Sequence, residues 1–181
     1  MHEHIADGWE LMLLSLFDED VLRAVQRFLY YTSLGDFMRT STWAWPVCES
    51  LHFTGMSLLI GTVGVFDLRL MGFARAVPAV ALHRLIPFGI SGFVLNAATG
   101  FCFLSATPDQ YLFNSAFSWK LTFFVVAGLN VMFFYTRVFR QLLALDPRAP
   151  LPLGARLAGG VSLCAWIGVM SAGRLLTFYR P

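Results

Sequence analysis

The chain has 181 residues, of which 57% are hydrophobic and only 13% are charged. Soluble domains carry about 25% charged residues, so this composition excludes an ordinary soluble fold. The formal net charge is +2 at pH 7 and no basic tract occurs, which excludes an electrostatic nucleic-acid binder. The composition predicts a multi-pass membrane protein, with the lipid bilayer as its surroundings.

The first segment, residues 1–40, is predicted to be a tail followed by an interfacial helix. Its first twenty residues are acidic, and their apolar run WELMLLSLF is too short for a span, so no signal peptide is expected. Further on, Leu22, Val25, Phe28 and Leu29 recur at helical spacing. This pattern predicts an amphipathic helix on the membrane surface. A short soluble helix packed on the protein is the alternative.

Residues 41–181 are predicted to form a domain of four transmembrane helices. The spans are placed at about 44–71, 82–106, 116–139 and 154–178. Leu85 to Ala106, for example, contains no charged residue and is long enough to cross a hydrocarbon core of roughly 30 Å. The predicted fold class is therefore all-α, a membrane four-helix bundle with an N-terminal amphipathic interfacial helix.

The arginines predict the orientation of the spans. Arg75 to Pro78 and Leu145 to Gly154 are proline-bearing loops on one face. That face has two acids, Asp67 and Asp146, and seven arginines, namely Arg69, Arg75, Arg84, Arg137, Arg140, Arg148 and Arg156. The positive-inside rule makes this face cytoplasmic. We therefore expect a bacterial inner-membrane protein with both termini in the periplasm.

Small residues recur four apart on two of the spans, and this spacing predicts close helix packing. The positions are Gly92, Asn96 and Gly100 on the second span, and Gly160, Cys164, Gly168 and Ala172 on the fourth. Small side chains let helix backbones approach closely in lipid. Packing is our first interpretation of these glycines, and contact with a ligand is the second.

The first span carries polar and sulfur-bearing side chains where only apolar ones are expected. Cys48, Glu49, His52 and Met56 fall within a sector of roughly 100° over about 12 Å of helix. The candidate cofactor-binding residues at this depth are His52, Glu49, Met56, Asn96, Lys120 and Arg174, and the candidate metal ligands are His52, Met56, Cys48 and Cys102.

Intramembrane ionisable residues are usually paired, so we expect ion pairs and hydrogen bonds within this set. Glu49 is expected to pair with Lys120 or Arg174, and His52 to bond with Glu49 or Asn96. Our first interpretation is a structural lock between helices, without a cofactor. The alternatives are a pocket for a quinone or haem b, and a copper site. His83 lies roughly 25–30 Å deeper than His52, so the two cannot share one haem.

A second polar group is predicted at the cytoplasmic ends of the first two spans. Asp67, Arg69, His83 and Arg84 are expected to form a salt-bridged collar, with the two arginines binding anionic lipid head groups as the alternative. Asn130 is a further structural polar position. Hydrolase motifs, phosphate-binding glycine loops and HExxH are absent, so we expect a non-enzymatic protein.

The spacing of Pro46, Glu49, His52, Gly55 and Gly61, followed by DLRLMG, resembles an uncharacterised family of small bacterial integral membrane proteins. The segments TGFCF, NSAFSWK and AGLN fit the same pattern, over about residues 43–137. The resemblance implies a four-helix membrane fold and no established activity. The polar positions it marks are Glu49, His52, Asp67, Arg69, Thr99, Asn114, Lys120 and Asn130. Relatives often have a histidine after AGLN, where this chain offers Tyr135.

Two functions remain open at this point. The leading hypothesis is an accessory or structural subunit of a larger membrane assembly, formed with other membrane-protein subunits or as a homo-oligomer. The alternative is a redox or ligand-binding membrane module that holds haem b, a quinone or copper near Glu49 and His52. A small transporter ranks last, because broken helices and an inverted repeat are not visible.

Overall fold

The computed structural model describes residues 19–145 and 149–178, and every regular element in these ranges is helical. The all-α fold class is thus confirmed. The elements are α1 (Glu19–Tyr30), α2 (Ser33–Thr40), α3 (Ala44–Met71), α4 (Ala79–His83), α5 (Ile86–Ala106), α6 (Pro108–Leu112), α7 (Ser115–Phe133), a π-helix (Phe134–Val138), α8 (Phe139–Ala144) and α9 (Leu153–Leu175).

Within the described ranges, four helical stretches are long and apolar enough to cross a membrane. The first span is α3, the second runs over Ala79–Ala106, the third over Ser115–Ala144, and the fourth is α9. Their mean hydropathy lies between 1.4 and 1.6. The chain is therefore a multi-pass membrane protein by the length and composition of its helices. The second and third spans are longer than the sequence indicated, because α4 and α8 extend them at the same end of the bundle.

The first and second spans are joined by glycines that let their backbones meet. A Cβ atom on Gly92 would lie 2.6 Å from the carbonyl oxygen of Gly55 and 2.8 Å from the amide nitrogen of Leu59. A Cβ on Gly89 would lie 2.7 Å from the Thr62 hydroxyl oxygen. Only glycine fits such an approach, so the predicted packing role of Gly92 is confirmed.

The fourth span uses its small residues in different ways. Gly159 faces the first span, where a Cβ would lie 2.6 Å from the carbonyl oxygen of Asp67. Gly168 faces the ring of Phe123 on the third span. In contrast, a Cβ on Gly160 would meet no atom within 4 Å among the described residues. Gly160 therefore makes no close helix contact within the described chain, and its packing role stays a prediction.

The helices α1 and α2 are attached to the end of the second span by Arg39. Its Nη1 donates to the carbonyl oxygens of Ser105 (3.4 Å) and Ala106 (3.3 Å), and its Nη2 donates to Tyr30 (2.7 Å). The guanidinium also lies 4.0 Å from the centre of the Tyr30 ring. Close beside it, Gly35 approaches the Ser105 carbonyl so tightly that a Cβ would collide with it.

The apolar side of α1 is mostly uncovered. Leu29 is buried, whereas Val21, Val25 and Phe28 are exposed, the last by 73%. This face is free to meet a bilayer surface or another protein, so the interfacial position of α1 remains a prediction.

The connection between the second and third spans folds into the protein. Pro108 is fully buried and Asn114 is 3% exposed. The Asn114 side chain accepts a hydrogen bond from the Ala116 amide (2.9 Å) and donates to the carbonyl of Leu176 (3.4 Å). This contact ties the start of the third span to the end of the fourth.

Candidate functional site

Five of the polar and sulfur-bearing side chains meet between the spans at the start of the first one, and we name Cys48, His52, Thr99, Cys102 and Lys120 the His52 cluster. His52 Nδ1 lies 2.7 Å from the hydroxyl oxygen of Thr99 on the second span. The Cys48 thiol donates to the carbonyl oxygen of the same threonine over 3.6 Å. Thr99 is 5% exposed, so the first and second spans hold it in a nearly dry environment.

Lys120 reaches into this cluster from the third span. It is half-buried and lies in the same region of the protein as His52. Two glycines leave room around the pair. A Cβ on Gly173 would lie 3.7 Å from Lys120 Nζ, and a Cβ on Gly100 would lie 3.9 Å from His52 Cε1. Within residues 19–145 and 149–178 no side chain or carbonyl accepts a hydrogen bond from this ammonium.

The sulfur atoms do not form a preformed metal centre in the described chain. Cys48 and Cys102 pack in the same small apolar core, and both cysteines are free. No three His, Cys, Asp or Glu side chains of the described residues converge on one point. Met56 is half-buried one turn below His52. A copper ion held by His52, Met56, Cys48 and Cys102 would therefore need these side chains to move.

Two predicted members lie outside the cluster. Glu49 is exposed and makes no hydrogen bond or ion pair with any described residue, so its expected pairing with Lys120 or Arg174 is wrong. Arg174 is also exposed, and its guanidinium lies 5.7 Å from the ring centre of Phe178. Both side chains are exposed because of the way their helices are rotated about their axes. The close contact of the first two spans turns Cys48 inward, and its neighbour Glu49 then points outward.

Asn96 has a packing role beside the cluster. Its Nδ2 donates to the carbonyl oxygen of Gly92 over 3.1 Å, and a Cβ on Gly55 would meet that nitrogen at 2.8 Å. The hydrogen bond expected between His52 and either Asn96 or Glu49 is thus made by Thr99 instead. The sequence places Thr99 at the depth of His52 and marks it through the family resemblance, but it does not identify Thr99 as the partner of His52.

The second polar group lies at the opposite end of the first span, and we name Asp67, Arg69, His83, Asn130 and Tyr135 the Asp67 cluster. Asp67 is 3% exposed and is hydrogen-bonded by the Ser162 side chain of the fourth span. Its Oδ2 has no partner in the described chain. Arg69 is 4% exposed, and its Nε donates to the carbonyl oxygen of Val77 over 2.5 Å.

The π-helix in the third span places Tyr135 in contact with His83. Tyr135 lies within it, and the Tyr135 hydroxyl is 3.0 Å from His83 Nε2. Asn130 donates to the carbonyl oxygen of Ala158 over 2.9 Å. Arg84 is exposed. The expected salt-bridged collar is therefore wrong for the described residues, because hydrogen bonds to carbonyl and hydroxyl groups hold these side chains.

His52 and His83 lie at different ends of the bundle. His52 contacts Thr99 and Phe103, whereas His83 contacts Phe66, Tyr135 and Phe139. They do not share one metal position. A haem in this chain would need another axial ligand for His52, as the sequence indicated.

Tyr111 borders the His52 cluster and was not identified from the sequence as a site residue. It lies between the second and third spans and packs beside Cys48 and Cys102 in a small apolar core. Burial raises the pKa of its phenol, and the neighbouring Cys48 raises it further. The start of the first span is therefore a poorly hydrated region.

Comparison with family models, with curated proteins and with solved structures finds no match for this chain.

Proposed function

We propose that this chain is a non-enzymatic multi-pass protein of a bacterial inner membrane, with periplasmic termini, and that it serves as an accessory subunit of a larger membrane assembly. Its resemblance to the uncharacterised family of small membrane proteins belongs to the same proposal. The four apolar spans support the membrane location, and one surface feature supports the role in an assembly.

That feature is an apolar groove of about 640 Å³ along the fourth span. Third-span side chains form one wall, and the floor includes Gly160 and Cys164. Gly160 has open space where a Cβ would stand, and Cys164 is exposed. Small residues on a lipid-facing groove favour the close approach of another helix, because van der Waals packing drives helix association in membranes. The proposed occupant is a transmembrane helix of another subunit, from a partner or from a second copy.

The test fills the groove and measures the mass of the assembly in mild detergent. Gly160→Leu places a side chain in the groove, and we expect it to release the chain from its complex. Gly128→Leu is the matched control, since a Cβ on Gly128 would also meet no atom of the described residues within 4 Å, and Gly128 lies outside the groove. A photoreactive maleimide on Cys164 should cross-link the partner. A lone monomer in the wild-type preparation contradicts the proposal.

The second candidate is a redox or ligand-binding membrane module centred on His52. The observation that favours it is Lys120, a half-buried ammonium for which the described chain supplies no acceptor. Unpaired charges inside membrane proteins are costly and are usually functional. Haem b, a quinone or copper are its candidate cofactors. An absorption spectrum, a metal analysis and a solvent extraction test it, and the absence of a Soret band, copper and quinone together would contradict it.

A further inference from the structure

Among the described residues that line the apolar groove of the fourth span, Arg156 is the only charged one. It is exposed and lies one helical turn from Gly160, on the side of the Asp67 cluster. Residues four apart share one face of a helix, at a separation of roughly 6 Å along its axis. A helix that packs on Gly160 would therefore cover Arg156 as well.

The described chain gives the Arg156 guanidinium no partner. Its two ion pairs lie in α1 and α2, and no described hydrogen bond uses the Arg156 side chain. When another helix covers this guanidinium, the charge loses water, and that loss is costly unless an acceptor replaces the water. Arg156 also lies in the first turn of α9, where the helix dipole favours a negative charge. The occupant of the groove is therefore expected to bring an anionic acceptor to Arg156.

A second copy of this chain is poorly suited to supply that acceptor. At the end of the bundle that holds the Asp67 cluster, the exposed charged side chains of the described residues are all arginines, namely Arg75, Arg84, Arg137, Arg140 and Arg156. The described acid at this end, Asp67, is 3% exposed and is hydrogen-bonded by Ser162 inside the bundle. Two parallel copies would bring arginines together, and like charges across an interface repel each other.

We infer that the groove receives a transmembrane helix of a different protein, and that this helix carries an Asp or Glu that faces Arg156. The inference rests on the proposed assembly role and names the chemistry of the partner. A small residue of the partner helix packs on Gly160, and its carboxylate lies one turn farther toward the Asp67 end. A carboxylate can accept two parallel hydrogen bonds from a guanidinium, which fixes the register of the two helices.

The experiment replaces Arg156 in the full chain and measures the mass of the assembly that is purified in mild detergent. Arg156→Glu should reduce the bound partner about tenfold or more, because it opposes two like charges. Arg156→Gln should bind more weakly than the wild type, and added salt should weaken only the wild-type complex. Arg140→Glu is the matched control, since Arg140 is exposed at the same end and lies outside the groove.

Cys164 allows the partner helix to be sequenced, because this exposed thiol lies in the same groove. A photoreactive maleimide on Cys164 should cross-link a peptide that mass spectrometry can read. Cys164 and Arg156 are roughly 12 Å apart along α9, so we expect an Asp or Glu about two turns from the cross-linked residue. Replacing that acid with arginine should restore the complex of Arg156→Glu.

The inference and the assembly proposal fail in different ways. If Gly160→Leu leaves the mass unchanged, no helix occupies the groove and both fail. If Gly160→Leu releases the partner and Arg156→Glu does not, or if Arg140→Glu releases it equally, the inference alone is refuted. A cross-linked peptide from a second copy of this chain also refutes it and leaves an assembly standing. An anionic phospholipid in place of a helix, lost in Arg156→Glu by native mass spectrometry, refutes both.

Discussion

The two ends of the first span differ in how their ionisable side chains are hydrogen-bonded. Each places ionisable side chains between apolar helices, where a polar group without a partner is expensive. In the Asp67 cluster the chain supplies most of the partners: Arg69 bonds to Val77, His83 to Tyr135 and Asn130 to Ala158. In the His52 cluster Thr99 is hydrogen-bonded, whereas no described residue accepts a hydrogen bond from the Lys120 ammonium. The polar residues at the two ends therefore differ in how many of their partners the described chain supplies.

Asp67 qualifies this contrast. One of its carboxylate oxygens has no partner among the described residues, although Ser162 bonds to the side chain. Hydrogen bonds therefore satisfy most of the polar groups in the Asp67 cluster, but not the Oδ2 atom of Asp67.

The largest expected effect concerns two glycines of the fourth span. Gly159 lies against Asp67 at one end of the bundle, and Gly173 lies near Lys120 at the other. Gly159→Ala should destabilise the protein by about 1–3 kcal/mol, because the new Cβ meets the Asp67 backbone. Gly173→Ala should be neutral or stabilise by up to about 1 kcal/mol, since alanine favours a helix and the nearest atom, Lys120 Nζ, is 3.7 Å away. Thermal unfolding in detergent compares them. Equal losses of stability in the two variants would contradict the difference in packing between the two ends of the bundle.

A smaller effect is expected from the hydrogen bond of His83 with Tyr135. His83→Phe and Tyr135→Phe should show a coupling of about 0.5–1.5 kcal/mol in a double-mutant cycle. His52→Asn should stay within about 0.5 kcal/mol of the wild type, because the amide keeps the bond to Thr99. A coupling near zero would show that the hydrogen bond between His83 and Tyr135 does not stabilise this end of the bundle.

The smallest effect concerns the pH dependence at the His52 end. Burial raises the pKa of Tyr111 above the ordinary value of about 10. The neutral phenol therefore contributes its full stability below the unfolded pKa and loses it as pH rises through the folded one. The ultraviolet absorbance of ionised tyrosine should show a late step whose amplitude falls in Tyr111→Phe. An unchanged amplitude in that variant would show that Tyr111 does not ionise late and would contradict its burial.

The sequence predicts the fold better than the site. Hydropathy and length indicate the four spans, because a bilayer sets the length of any helix that crosses it. Spacing identifies Cys48, His52 and Lys120, but a spacing does not fix how a helix is rotated about its axis.

That rotation depends on the contact of Gly55 with Gly92, a tertiary feature. It turns Glu49 outward and brings Thr99 to His52. The partners of Arg69 and His83 were missed for a related reason. They are a loop carbonyl and a π-helix tyrosine, and neither has a sequence signature.

The most direct test compares Arg69 and Lys120 by replacing each with methionine, in detergent and without an added ligand. Arg69→Met should lower the free energy of unfolding by about 1.5–3 kcal/mol, because a hydrogen bond from a charged donor to Val77 is lost. Lys120→Met should leave it unchanged or raise it, since the described chain gives this ammonium no acceptor. A loss in Lys120→Met as large as in Arg69→Met would contradict the account and make the His52 cluster a second lock.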